Sequence, residues 1–150
     1  MTPSRPPLSL KGRALRFLSQ REHSRLELQR KLAPHETEPG QLAQTLDELQ
    51  KRGFISEERV VESVVHRRAG KLGTARVKQE LAAKGLSGEA VNQALDQLRS
   101  TELERAREVW RKKFGSPAAD AKERARQIRF LITRGFAAEV VRRVVQSADD

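Results

Sequence analysis

The sequence contains no cysteine, which excludes a disulfide framework, a thiol nucleophile and any zinc site built on thiolates. Aromatic residues make up only 4% of the chain and hydrophobic residues 37%, so a core has to be assembled mainly from Leu, Val, Ile and Ala. Thin layers of helix suit that composition better than one thick centre. No stretch approaches the roughly 18 apolar residues of a membrane span, and the opening segment holds Pro3, Pro6 and Pro7 in place of an apolar signal run. A cytoplasmic protein with no membrane partner is the expectation. Catalytic patterns are missing as well: there is no Walker phosphate loop, dinucleotide fingerprint, nucleophile elbow or HExxH. His23, His35 and His66 have no ligand-like spacing, which assigns them to capping, packing or surface roles. The chain reads as non-enzymatic, with no metal and no cofactor.

What is present is helical periodicity, carried almost to the C-terminus. After a flexible lead over residues 1–9, Leu10, Ala14, Phe17 and Leu18 share a face of a first helix. Ser24 with Glu27 has capping-box spacing and opens a second, with Leu28 and Leu32 inward. A third begins close to Pro39 and carries Leu42, Leu46 and Leu49; Gly53 ends it, and Phe54 and Ile55 fold back on its last turn. Val60, Val61, Val64 and Val65 mark a fourth, and Val77 and Leu81 anchor a fifth over residues 74–84. Ser87 is placed to cap a sixth helix, with Val91, Leu95 and Leu98 inward. Thr101 with Glu104 has the capping-box spacing again, ahead of Leu103, Ala106, Val109 and Trp110. An eighth helix is expected to bury Ala121, Ala125, Ile128, Leu131 and Ile132, and a ninth Val140, Val141, Val144 and Val145.

Helices this short are marginal alone in water, so packing between them has to supply the stability. They group in threes, as units over residues 10–55, 56–99 and 100–147, with a frayed end at 148–150. Lys84-Gly85-Leu86 and Arg134-Gly135-Phe136 repeat one closing pattern, a basic residue, a glycine and a large apolar residue, and Arg52-Gly53-Phe54 looks similar but joins two triplets, the same turn chemistry in another place. The fold class that follows is all-α, tandem three-helix repeats forming an elongated, curved modular stack.

Thirty Lys and Arg against twenty Asp and Glu give a net charge of +10, which draws the chain toward polyanions or acidic protein surfaces. Between Glu102 and Gln146 twelve basic residues face six acidic ones, whereas Lys11 to Arg59 has ten and eight. The positive charge is therefore concentrated late. Two clusters are the candidate partner-binding patches: Arg67, Arg68, Lys71 and Arg76 around two glycines, and Arg111, Lys112, Lys113, Lys122, Arg126 and Arg129. Trp110 is assigned to the core, with base stacking as its other reading.

Ala14-Leu15-Arg16-Phe17-Leu18 followed by residues 21–32, Arg-Glu-His-Ser-Arg-Leu-Glu-Leu-Gln-Arg-Lys-Leu, resembles the opening signature of the RecX family of bacterial recombinase regulators. Residues 49–59 are similar to that family's turn between its first and second triplets, although Ser56-Glu57 and Val60-Val61 depart from its usual residues. Glu80 to Leu86 and Arg129 to Phe136 resemble the later triplets, so the likeness runs in order from Leu10 to Val145. The resemblance implies a stack of three-helix units that binds the RecA recombinase, preferably as a filament on single-stranded DNA. It also implies modulation, most commonly inhibition, of filament growth, ATP turnover, strand exchange and coprotease activity. Direct contact with DNA and a monomeric state complete that expectation. Two other readings stay open on the residues alone: a helical DNA-binding regulator reading base edges through Asn92 and Gln93, and an RNA-associated helical scaffold.

Overall fold

The structure, a computed structural model, describes residues 8–149. Most of the expected lead at residues 1–9, and residue 150 of the expected frayed end, lie outside the described residues. Among the described residues there are nine α-helices and no strand: α1 (Leu10–Gln20), α2 (Arg25–Leu32), α3 (Gln41–Lys51), α4 (Glu57–Arg68), α5 (Thr74–Ala83), α6 (Glu89–Ser100), α7 (Glu102–Lys113), α8 (Ala121–Thr133) and α9 (Ala138–Asp149). A single 3-10 turn, Ala33–His35, follows α2. The fold is all-α and built of repeated three-helix units.

Local chemistry explains where the helices begin and end. Ser9 and Asp120 accept from the third residue beyond them, and Ser24 and Glu27 complete the reciprocal capping box that their spacing predicts. The three basic-Gly-apolar closures adopt one geometry. Gly53, Gly85 and Gly135 take φ of 81°, 76° and 94°, and the next amide returns to the carbonyl five residues back: Phe54 to Leu49, Leu86 to Leu81 and Phe136 to Leu131, at 2.9, 3.0 and 3.3 Å.

Two predicted caps are different. Gly88, with φ 109°, occupies the cap position of α6, leaving Ser87 one residue too early. Thr101 precedes α7 without capping it; its hydroxyl instead accepts from Arg105 Nε at 3.1 Å. The α8 face is also rotated from the expected one. Ile132 is 43% exposed while Gln127 is buried, because Gln127 takes the Trp110 indole N–H at 2.9 Å and donates to the Ser116 carbonyl at 3.3 Å. Trp110 packs against the core, as its position in the apolar stripe predicts.

The chain divides within α4 into two compact bodies, the first ending at Val60 and the second beginning at Val61. In the first, α1, α2 and α3 enclose Leu10, Ala14, Leu28, Leu32, Leu42, Leu46 and Leu49, and Ile55 folds back onto them. Burying each such leucine contributes about 1.5–3 kcal/mol. Ion pairs Lys11–Glu48 at 2.9 Å and Arg25–Asp47 at 2.7 Å tie α1 and α2 to α3.

His23 is buried beside Phe17, with its Nδ1 3.1 Å from the Arg21 carbonyl and its Nε2 2.9 Å from Lys31 Nζ. An ammonium cannot accept, so Nε2 is the acceptor and the ring is neutral. Burial holds its pKa below the ordinary 6.5, with the Arg21 and Lys31 charges acting in the same direction. The unfolded chain then binds the proton more readily than the folded one. Stability is fully present above that ordinary pKa and is lost as pH falls below it. Thermal unfolding of the wild type should therefore shift to lower temperature between about pH 7.5 and about pH 5.5, and His23→Gln should flatten that dependence. An identical pH slope in the variant would contradict the assignment.

In the second body, Ala106, Leu131, Phe136, Val141, Val144 and Val145 form a cluster between α7, α8 and α9. The buried carboxylate of Glu102 accepts from the amides of Thr74 at 2.7 Å and Ala137 at 3.4 Å, at the N-terminal ends of α5 and α9. Arg105, one turn later, donates to the carbonyls of Ala69, Leu72 and Leu98 at 2.9, 2.6 and 2.9 Å, beyond the C-terminus of α4 and near that of α6. Negative charge thus meets amide-rich helix ends and positive charge meets carbonyl-rich ones. Burial pulls the Arg105 pKa down and Glu102 partly restores it.

Backbone approaches backbone at the same place. Gly73 N donates to the Arg134 carbonyl at 2.8 Å and Ala75 N to the Gly135 carbonyl at 3.3 Å. A Cβ on Gly73 would lie 2.3 Å from Gly135 backbone atoms, although its φ of −77° suits any residue. Glycine is required there for closeness, not for conformation.

Glu102→Ala should destabilise the second body by roughly 2–4 kcal/mol by stranding two amides, read as a lower denaturant midpoint, with Glu102→Gln costing less. Gly73→Ala should cost about 1–3 kcal/mol through forced separation of the two backbones. Either change leaving the midpoint in place would show that the junction does not hold the body together.

Candidate functional site

That junction brings α5 against the ends of α7 and α8, and a groove of about 580 Å³ opens there, lined by Leu72, Arg76, Lys113, Phe114, Arg126, Arg129, Phe130, Thr133 and Arg134. Four of these residues, Arg126, Arg129, Phe130 and Thr133, stand at i, i+3, i+4 and i+7 on one face of α8. Five cations and no carboxylate line the groove.

Aromatic rings position part of that charge. Phe114 meets Phe130 edge to face at 5.4 Å, Lys113 Nζ lies 5.4 Å from the Phe130 centroid and Arg134 Cζ lies 4.9 Å from it. Such contacts are worth about 0.5–1 kcal/mol each at exposed sites, enough to bias where two long side chains rest. Arg76 is fixed by donation to the Thr133 carbonyl at 2.8 Å. Arg126 has Glu123 at 3.8 Å, a distant partner. Among the described residues, Lys113, Arg129 and Arg134 have no ion pair. Like charges held this close repel, and an anionic partner would remove that repulsion.

Of the residues singled out from the sequence, Arg76, Lys113, Arg126 and Arg129 come together here, so the two charge clusters contribute to one groove. The other six do not line it. Arg67 and Lys71 are exposed, while Arg68 pairs with Glu80 at 3.0 Å. Arg111 and Lys112 both face Glu108, at 2.5 and 3.8 Å, and the Arg111 hydrogen bond holds that carboxyl below its ordinary pKa. Lys122 is exposed in the first turn of α8.

Sequence reasoning did not assign Arg134, Phe114 or Phe130 to a site. The helical stripe through Arg126, Arg129 and Phe130 carried the signal for Phe130; Phe114 and Arg134 join it only through the fold. Asn92 and Gln93 are exposed on α6, and the Gln93 amide donates to Glu89 on the same helix at 3.3 Å. Among the described residues no group of three or more His, Cys, Asp or Glu is placed to hold a metal ion, and no helix is long and apolar enough to cross a membrane.

Family models for the first, second and third three-helix domains of RecX match residues 11–49, 56–95 and 100–145. The chain is 60% identical to the regulatory protein RecX of Leptothrix cholodnii over 99% of its own length and 95% of that protein's. It is 50% identical to the RecX of Ralstonia nicotianae, covering 97% and 91%. Among solved structures it is similar in fold to RecX from Lactobacillus salivarius, with a TM-score of 0.78 at 20% identity, over 93% of this chain and 94% of that one. A second crystal structure of regulatory protein RecX aligns with a TM-score of 0.74, over 92% and 71% of the two chains. The chain belongs to the RecX family of regulatory proteins.

Proposed function

We propose that this chain acts as a cytoplasmic monomer that binds the RecA recombinase, preferring its filament on single-stranded DNA to the free subunit. Binding restrains filament growth and with it ATP turnover, strand exchange and coprotease activity. Membership of the RecX family supports the regulatory role. The observation that carries the contact is the groove itself: five cations without a lining carboxylate, three of them without an ion pair among the described residues. Its field speeds encounter with an acidic surface, while the apolar floor of Leu72, Phe114 and Phe130 offers contacts less sensitive to salt. A filament presents many copies of one surface, so several weak contacts add there in a way that an isolated subunit does not allow. We assign Arg76, Lys113, Arg126 and Arg129 to that contact, with Arg134 beside them. The outlying Arg67, Arg68, Lys71, Arg111, Lys112 and Lys122 form the flanking charge.

The test compares binding to preformed filaments, to the same single-stranded DNA without recombinase, and to free recombinase at matched salt. Strong preference for the filament with slowed ATP turnover is the expected result. Arg126→Glu combined with Arg129→Glu should weaken filament binding by roughly tenfold or more with unchanged helix content. Equal affinity for bare DNA and filament, with no effect on turnover, would replace this reading with that of a DNA-binding regulator.

A further inference from the structure

A second cavity, of about 320 Å³, lies on the first body, walled by Leu8, Arg13, Arg16, Phe17, Gln20 and His35. Four of these residues stand on α1 at i, i+3, i+4 and i+7, a stripe set beside the buried one of Leu10 and Ala14. His35, from the 3-10 turn after α2, supplies a wall from another element. The size falls at the lower end of the about 300–1,000 Å³ found for small-ligand sites.

The wall has a specific chemistry. Neither the Arg13 nor the Arg16 guanidinium has a hydrogen-bond acceptor or a carboxylate partner among the described residues, and Arg13 is half-buried. Two guanidinium groups on one wall with no carboxylate between them repel each other, and an oxyanion relieves this. Arginine's planar fork matches phosphate oxygens in particular. Lys31 Nζ adds a further positive charge nearby, 4.8 Å from the Phe17 centroid. The rest of the wall is of another kind: the exposed His35 ring offers an aromatic face, Phe17, whose ring already carries Lys31 and packs on the core, adds apolar surface, and the Gln20 amide both donates and accepts, as a base edge requires. An acidic peptide or a bare inorganic anion would use the arginines and leave the rings and the amide idle.

We propose that this cavity binds a nucleoside phosphate, with Arg13 and Arg16 on the phosphate, Phe17 and His35 against the base and Gln20 at its edge. The ligand is a free mononucleotide; a nucleotide within a single strand would belong to the direct DNA contact that the family resemblance already implies. The site is separate from the cationic groove and does not depend on what the groove binds.

The test is amide chemical-shift mapping on the full-length chain, titrated separately with adenosine monophosphate, inorganic phosphate and a short deoxyadenylate oligomer. Adenosine monophosphate should shift the amides of Arg13, Arg16, Phe17, Gln20 and His35 and leave those around Phe130 in place. Inorganic phosphate should bind there roughly tenfold more weakly or worse. Arg13→Ala with Arg16→Ala should weaken nucleotide binding by roughly tenfold or more while the remaining amide spectrum stays folded, because neither guanidinium bonds to the described chain. His35→Ala should reduce the preference for nucleotide over phosphate. Tighter binding of the mononucleotide than of the oligomer supports the proposal; tighter binding of the oligomer would overturn it in favour of direct DNA contact. No shift at these amides with any nucleotide probe, equal affinity for phosphate and nucleotide, or undiminished binding by the double variant would overturn it.

Discussion

The order of the second body rests on Glu102 and Arg105, an acid and a base one turn apart on α7 that between them satisfy the exposed backbone groups of several neighbouring helix ends. Short helices leave a large share of their amides and carbonyls unpaired, four at each end, and where those ends are buried each needs a partner. Glu102 supplies acceptors at the starts of α5 and α9. Arg105 supplies donors where α4 and α6 finish, and its guanidinium lies 6.0 Å from the Phe136 ring centre. The pair works because charge sign and helix polarity agree at every contact. Gly73 and Gly135 then let the backbones come close enough for direct hydrogen bonds.

The groove is a consequence of that junction. Arg76 lies on α5, while Arg126 and Arg129 lie on α8, some fifty positions later in the chain. They share a wall because α5 is held against the Arg134–Gly135 turn, where the stem of Arg76 occupies the space a Gly135 side chain would need. The same turn that closes α8 therefore also supplies Arg134 to the groove. Stability and the cationic groove are built from one set of contacts in this body.

Much of this was legible in the sequence. Apolar periodicity locates the nine helices of the described residues, the Ser24–Glu27 spacing predicts a real capping box, and the recurring basic-Gly-apolar tripeptide predicts a closure that recurs in space. What was not legible follows a physical pattern. Thr101 and Glu104 have capping-box spacing, but the acid that matters is Glu102, because its role is to reach across to other helices rather than along its own. Gln127 is not legible on the buried face of α8 because a polar residue breaks the apolar stripe, and its burial is explained by its hydrogen bonds to the Trp110 indole and the Ser116 carbonyl. Charge clustering found Arg76, Lys113, Arg126 and Arg129 but also six cations outside the groove, since clustering along the chain does not register ion pairs such as Arg68–Glu80 or Arg111–Glu108. Phe114 and Phe130 hold charge in place without carrying any, so a search by charge passes over them.

In the proposed function the chain meets the RecA filament through this groove of cations and aromatic rings, a contact that lysine footprinting probes directly. Lys113 lines the groove, whereas Lys51 is exposed at the end of α3 in the first body. Acylation of the chain with and without RecA filament, followed by peptide mass mapping, should show Lys113 protected and Lys51 still reactive. Equal modification of Lys113 in both conditions, with the chain fully bound, would contradict binding through the groove.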